Sequence, residues 1–171
     1  VTTEYEPFKN WDTHDNGYTR MIDMKKQING PVAQLIKDLD RTGHLDRTLV
    51  ILASEFSRDM MVEGRPGLKV KEQVNQPDII NDIKYYGMHR HFTDGVSMLM
   101  FGGGIKKGNV YGKTADERPC KTIEKPIVID QVHQTIYHAL GIAEDCHYVV
   151  EKRPFYTTPD GLGKAEMELF A

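Results

Sequence analysis

Pro31-Val-Ala-Gln-Leu-Ile-Lys-Asp-Leu-Asp-Arg-Thr-Gly-His-Leu-Asp-Arg-Thr-Leu-Val-Ile-Leu-Ala53 reads as a helix, a stop, a short turn and a strand. Val32, Leu35, Ile36 and Leu39 recur at i, i+3, i+4 and i+7, which makes one apolar stripe along a helix. Pro31 suits a first helical turn, because its missing N–H would have no partner there. Gly43 follows as a C-terminal stop. Thr48 to Ala53 is then a continuous apolar run rich in β-formers. A run apolar on both faces predicts a buried strand, of the kind found in parallel sheets. Helix, short turn and buried strand form the αβ half of a crossover unit, which places the chain in the α/β class.

Outward from this stretch, the helical pattern reaches back to about Thr19 and ends near Thr42, with Gly30-Pro31 as a candidate break. Residues 1–20 are polar and turn-rich and contain Trp11-Asp12-Thr13-His14-Asp15-Asn16-Gly17. Downstream, residues 59–88 show no period and hold Gly64, Pro66, Gly67 and Pro77, so they read as a long inserted loop. Val96 to Phe101 is a second buried strand, closed by Gly102-Gly103-Gly104. The triple glycine suits a tight strand exit better than an anion cradle. Ile127-Val128-Ile129 is a short strand or an extended approach to a helix over Asp130–Leu140, where Gly141 is the stop. The polar tail, Ala143 to Ala171, is expected to pack loosely.

Composition narrows the function classes. A chain of 171 residues suits one domain with a sizeable core. A net charge of -3 gives no basic footprint, so nucleic acid is not an expected partner. No run approaches the roughly 18 apolar residues of a membrane span. There is no signal peptide, and the start at Val1 without methionine suggests a mature, processed or truncated chain. Cys120 and Cys146 have no metal-binding spacing. They could pair in an oxidising compartment, and two cysteines alone decide nothing.

The chemistry-bearing residues cluster at segment ends. Asp12 and His14 stand two apart, so in an extended segment they face the same way and could reach one ion. The plainer alternative is an Asx-turn at a helix start, with His14 incidental. Glu55 follows the first strand, and in open α/β sheets ligands bind outside the carboxyl ends of strands. Its alternative is an ion pair with Arg58. His89 and His91 stand two apart just before the second strand, and as a lone pair they read equally as surface histidines. Arg58, Arg65 and Arg90 could clamp a phosphate- or sulfate-type oxyanion, though Arg65 reads better as solvated charge. His138 reads as a packing residue, His133 is undecided, and His44 and His147 look like surface residues. Neither a G-x-S-x-G nucleophile elbow nor a P-loop is present.

Four stretches occur in a telling order. They are Trp-Asp-Thr-His, Thr-Leu-Val-Ile-Leu-Ala-Ser-Glu-Phe-Ser-Arg, a histidine before Val-Ser-Met-Leu-Met-Phe-Gly-Gly-Gly, and His-Gln-Thr-Ile-Tyr-His-Ala-Leu-Gly-Ile. In this order, over about Asn10 to Tyr156, the chain resembles the sulfatase-like family catalogued as domain of unknown function 1501, within the alkaline phosphatase superfamily. The family's Glu-Phe-Gly-Arg is matched by Glu55, Phe56 and Arg58, with Ser57 in place of glycine. Its Asp-His falls on Arg90 and His91. Arg90 therefore departs from the pattern, and His89 is the candidate to take over part of the role.

The resemblance implies a three-layer α/β/α fold with a mixed, mostly parallel, alkaline-phosphatase-like sheet. It implies that residues 1–171 are the C-terminal portion of one such domain, with the first strand and the nucleophile-bearing helix upstream. It also implies one or two divalent metals, zinc or calcium, and a bacterial periplasmic or extracytoplasmic location. On this reading Asp12, His14 and His91 hold one metal, and Glu55 holds or bridges a second. Arg58 stabilises charge or orients Glu55, Arg58 and His89 are the candidate catalytic residues, and the substrate is a small anionic phosphate or sulfate ester. Paired metals would clamp the ester oxyanion and activate a nucleophile or water.

Two other readings stand beside it. One is a non-catalytic, metal-bearing structural or partner subunit. The other is a cytosolic α/β binding domain without metal, favoured if Asp12, Glu55 and His91 diverge. Three structural expectations follow. The ligand set should converge. The strand near 96–101 should run antiparallel to the strand near 48–53, because Glu55 follows its strand whereas His91 precedes its own. The chain should also need the rest of its domain, or another chain, to cover its apolar sheet surface.

Overall fold

The backbone groups left over at a helix end need partners, and the C-terminal ends of the two described helices both find them. In the computed structural model, which describes residues 11, 17–60, 89–92, 95–116 and 120–171, α1 spans Gly17–Arg41. It runs through Pro31 without a break, so the expected interruption at Gly30-Pro31 does not occur. A proline inside a helix costs roughly 3 kcal/mol, through a lost hydrogen bond and a clash with the preceding turn. Met24 is buried ahead of Pro31, and Val32, Ile36 and Leu39 beyond it are half-buried. At the far end Gly43 N–H donates to Asp40 O and His44 N–H to Leu39 O, a Schellman closure that satisfies the last carbonyls.

The chain divides into two compact units. One comprises Val1–Leu35, Ser54–Val96 and Glu117–Cys120, and the other Ile36–Ala53, Ser97–Asp116 and Lys121–Ala171.

In the first unit, β2 (Ser57–Met60) pairs antiparallel with β3 (His89–Phe92). Asp59 and Met60 thus belong to a strand rather than to the expected loop. The remainder of that loop, 61–88, lies outside the described residues. The chain leaves β2 at Met60 and rejoins at His89, and these two are register partners.

In the second unit, β1 (Val50–Leu52) pairs with β4 (Leu99–Phe101), Val50 opposite Phe101 and Leu52 opposite Leu99. This is the antiparallel relation the position of Glu55 requires. It corrects the reading of residues 48–53 as a buried strand of a parallel sheet. Val50 and Ile51 are only half-buried, and Leu52 and Leu99 are exposed. An apolar run shows that a strand wants cover, but not which way its neighbour runs. β5 (Lys113–Thr114) with β6 (Thr122–Glu124), and β7 (His147–Val150) with β8 (Arg153–Tyr156), complete the ribbons. The architecture is mixed α/β. Among the described residues every sheet is a two-stranded antiparallel ribbon, so the expected three-layer, mostly parallel sheet is not formed there.

Gly102 shows why the strand exit is glycine. Its φ is +70°, and a Cβ there would lie 2.3 Å from the Leu45 carbonyl oxygen and 2.4 Å from that of Thr48. Gly103 N–H donates to the same Leu45 oxygen at 3.0 Å. The triple glycine is thus a close backbone crossing over the 3-10 turn Leu45–Arg47, as expected, and Leu45 is buried beneath it.

The second helix, α2, spans Ile129–Ala139 after extended Val128. Gln131 Oε1 accepts from Val128 N–H; valine has no acceptor to return the bond, so only half of a capping box forms. A second Schellman closure, Gly141 to His138 and Ile142 to Tyr137, ends the helix where Gly141 predicts.

The tail corrects the expectation of loose packing in part: the β7–β8 hairpin is exposed, whereas residues 158–171 are tied down. Thr135 is 1% exposed, and its hydroxyl donates to Gln131 O and accepts from Glu166 N–H at 2.9 Å. Gly163 N–H donates to the buried Thr158 hydroxyl. Phe170 packs edge-on against His138 at 4.9 Å, and Ile105 and Phe170 form a β-bridge. Hydrogen bonds, rather than the hydropathy a sequence pattern reports, tie this tail down. Neither cysteine is bonded; Cys120 and Cys146 are both free and exposed.

Candidate metal centre

The candidate ligands sit on three pieces of chain. The first is Ala53 to Phe56, which joins β1 to β2. Ser54 Oγ donates to Phe56 O at 2.8 Å and tightens a bend whose outer residue is Glu55. Phe56 is half-buried and Glu55 is exposed, so the bend presents its carboxylate to solvent. The second piece is the β2–β3 ribbon. Its register sets Arg58 opposite His91, Asp59 opposite Arg90, and Met60 opposite His89. Both histidines therefore lie within a strand, not in a loop ahead of one. Directly opposed residues in an antiparallel pair have Cα atoms about 4.5–5.5 Å apart, so Arg58 and His91 are neighbours by backbone alone. Glu55 lies three residues before Arg58 on the same segment.

The third piece carries Asp12 and His14, which lie outside the described residues, between Trp11 and the start of α1. The structure thus brings Arg58 and His91 together and places Glu55 just upstream of them. It sets His89 two positions further along the ribbon. Among the described residues no three His, Cys, Asp or Glu side chains form a cluster able to hold a metal. The donor types are nonetheless those of a zinc-type centre, carboxylate oxygens and imidazole nitrogens.

Sequence reasoning missed Asp59. It is the register partner of Arg90, the residue that departs from the expected Asp-His, on the other strand of the ribbon. Only the register reveals this, because the two positions are far apart in the chain.

A second polar region, in the other unit, is a cavity of about 250 Å³ lined by Lys106, Tyr111, Lys125 and Glu168. Its lysines are already engaged. Lys125 pairs with the Glu168 carboxylate and lies 5.0 Å over the Tyr111 ring, and Lys106 donates to the Glu168 carbonyl. The Lys125 partner holds the Glu168 carboxyl below its ordinary range. Burial, then a hydrogen bond to Glu166, pushes the Tyr111 hydroxyl up to about 12. These groups neutralise one another, which makes the region structural rather than an anion site.

The comparisons with known proteins come to one finding. Residues 6–162 match the model of the family described as Protein of unknown function (DUF1501). The chain belongs to that family. The match takes in the Asp12–His14, Glu55–Arg58 and His89–His91 segments together, and it extends through α2 and the β7–β8 ribbon. No curated protein and no solved structure shows significant similarity to the chain. No described helix is long and apolar enough to cross a membrane.

Proposed function

We propose that this chain carries part of the active centre of a metal-dependent hydrolase of phosphate or sulfate esters. The observation that carries the reading is the β2–β3 register, which sets Arg58 beside His91 and leaves Glu55 on the exposed bend just before them. In this reading the β1–β4 pair is the reversed edge of an alkaline-phosphatase-like sheet. Asp12, His14 and His91 hold one divalent ion, zinc or calcium, and Glu55 helps to hold another. Such ions act as Lewis acids on the ester oxygen and lower the pKa of bound water.

The chain's own groups have separable tasks. The Arg58 guanidinium binds the anionic ester and opposes the charge that develops on it. Glu55 and the histidines supply donor atoms and restrict the ester's orientation. His89 is the candidate to pass a proton to the leaving alcohol. Asp59 replaces, from the partner strand, the carboxylate displaced by Arg90. The nucleophile comes from an upstream segment of the same domain. The extracytoplasmic location is part of the proposal and rests on the resemblance alone.

The test is metal analysis of the full-length protein together with a panel of aryl phosphates and sulfates. Stoichiometric zinc or calcium, with turnover lost in both Glu55→Ala and His91→Ala, is expected. Absence of bound metal and of turnover in a folded protein would refute the reading.

One observation favours a second reading, a metal-bearing structural or partner subunit. Asp59 and Arg90, residues of opposite charge, are register partners, and a carboxylate that engaged such a partner would be less free to bind metal. Bound metal without turnover on any ester would select it.

A further inference from the structure

The face of the β2–β3 ribbon that carries Arg58 and His91 also carries Met60 and His89. Opposed residues of an antiparallel pair share a face, and so do residues two apart on one strand. Arg58 is opposite His91 and Met60 is opposite His89, so these residues occupy one face at alternate levels of the ladder. The two levels lie about 7 Å apart along the strands, and opposed Cβ atoms about 4.5–5.5 Å apart. Met60, His89 and His91 thus mark a triangle of the size that three ligands of one ion require.

Strand formation does not call for these residues. Strands favour branched and aromatic side chains, and Arg, Met and His are not among them. As donors, however, two imidazoles and a thioether are a distinctive set. Calcium and magnesium take oxygen ligands, and zinc takes Cys, His and carboxylates. A thioether is a soft donor and, beside imidazole, selects copper in its monovalent state. Charge points the same way. Arg58 shares the face, and the repulsion from a guanidinium rises in proportion to the charge of the ion. A monovalent ion meets half the penalty that a divalent one does. Methionine suits such a corner, because its unbranched chain adapts to the distance. The sequence places two more thioethers next to these positions, Met61 and Met88, which lie outside the described residues and outside the site.

We propose that Met60, His89 and His91 form a copper(I) site on this face of the ribbon. The site does not rest on the hydrolase reading and needs none of Asp12, His14 and Glu55. Only His91 is common to the two, so copper(I) held here withdraws one ligand from the divalent centre.

The test titrates metal-free full-length protein with copper(I) against a chromogenic copper(I) chelator, with a reductant present and oxygen excluded. One equivalent is expected to bind. Met60→Leu keeps the size of the side chain and removes the sulfur. It should weaken binding about tenfold or more, the least that losing even a supporting group costs a metal site. His89→Ala should weaken it at least as much. Met98→Leu, a methionine elsewhere in the chain, should bind as the parent does. So should Glu55→Ala, which removes a ligand of the hydrolase reading alone, so the two readings fail separately. X-ray absorption at the copper edge reads the donors directly: one sulfur and two nitrogens in the parent, and no sulfur in Met60→Leu. Circular dichroism checks that each variant folds, and if Met60→Leu does not, the parent spectrum and His89→Ala decide. Failure to bind one equivalent, a copper spectrum without sulfur, or parent-like binding by Met60→Leu or His89→Ala would overturn the proposal. So would weakened binding in Met98→Leu or Glu55→Ala, or zinc competing with copper(I) on equal terms.

Discussion

Arg58 and His91 are register partners across β2 and β3, with Asp59 and Arg90 the next pair along the same ribbon. Two segments separated by the stretch 61–88 are thereby joined at one level of the sheet. The same two stretches of chain also pair as β1 with β4. Residues 53–56 connect the pairings on one strand and 93–98 on the other, so the second connection is longer by two residues. Glu55 occupies the shorter one.

The ribbon makes Asp59 testable as a ligand or ligand substitute. Asp59→Asn is expected to lower bound metal by about 10–100-fold, the range typical of groups that support metal ligands. Arg90→Asp in that variant should restore part of it, since it returns a carboxylate to the same level from the other strand. Elemental analysis of the purified full-length variants checks both. Wild-type metal content in Asp59→Asn would remove this residue from the site.

Gly102→Ala should be among the most destabilising single-methyl additions in this chain. The added carbon would meet two backbone oxygens at 2.3 and 2.4 Å, and the residue has φ +70°. Backbone atoms cannot step aside as a flexible side chain would. A loss of about 2–4 kcal/mol is expected, from overpacking together with left-handed strain. Denaturant unfolding measures it. Gly43→Ala is the comparison, because nothing lies within 4 Å of a Cβ there.

Thr135→Val preserves shape and removes one hydroxyl. That hydroxyl is the acceptor for Glu166 N–H at 2.9 Å and is held by a helix carbonyl. Stranding a part-buried donor costs about 1–3 kcal/mol. The effect should appear as earlier hydrogen exchange in residues 163–171 as well as a lower melting temperature. Thr135→Ser, which keeps the acceptor, should recover most of the loss.

Alkaline pH should weaken the second unit through Tyr111. Its hydroxyl is pushed from an ordinary value of 10.0 up to about 12, by burial first and the Glu166 hydrogen bond second. The folded state therefore holds this proton more tightly than the unfolded state does. The resulting stabilisation is complete below about pH 10 and is lost as pH rises through 12. Stability measured between these limits should fall less steeply in Tyr111→Phe. Ultraviolet titration should show a tyrosinate that forms near pH 12 in the parent and is missing from that variant.

How much of this was legible depends on the kind of interaction. The limits of α1 and α2 follow from apolar stripes and from Gly43 and Gly141, because helix bonds and helix ends are local. The uninterrupted passage of α1 through Pro31 was not legible. It depends on whether burial on either side outweighs one lost bond. Strand positions were legible from apolar runs, but strand direction was not. The placement of His89 and His91 inside a ribbon escaped notice because polar residues alternate there without an apolar signal. The end of the tail, residues 158–171, was misjudged for a related reason: Thr135, Thr158 and Glu166 hold it by hydrogen bonds that a hydropathy pattern does not register.

By itself the sequence determined the helices, their stops, the glycine strand exit, and the residue types of the candidate site in family order. These are consequences of local geometry and of side-chain chemistry, which neighbours in the chain already specify. Only the tertiary structure decided that β1 and β4 run antiparallel, that His91 stands opposite Arg58, and that Asp59 stands opposite Arg90. Each of these is a pairing between distant segments. A strand's own residues state that it needs a partner, whereas the partner's direction and register come from hydrogen bonds along the whole ladder.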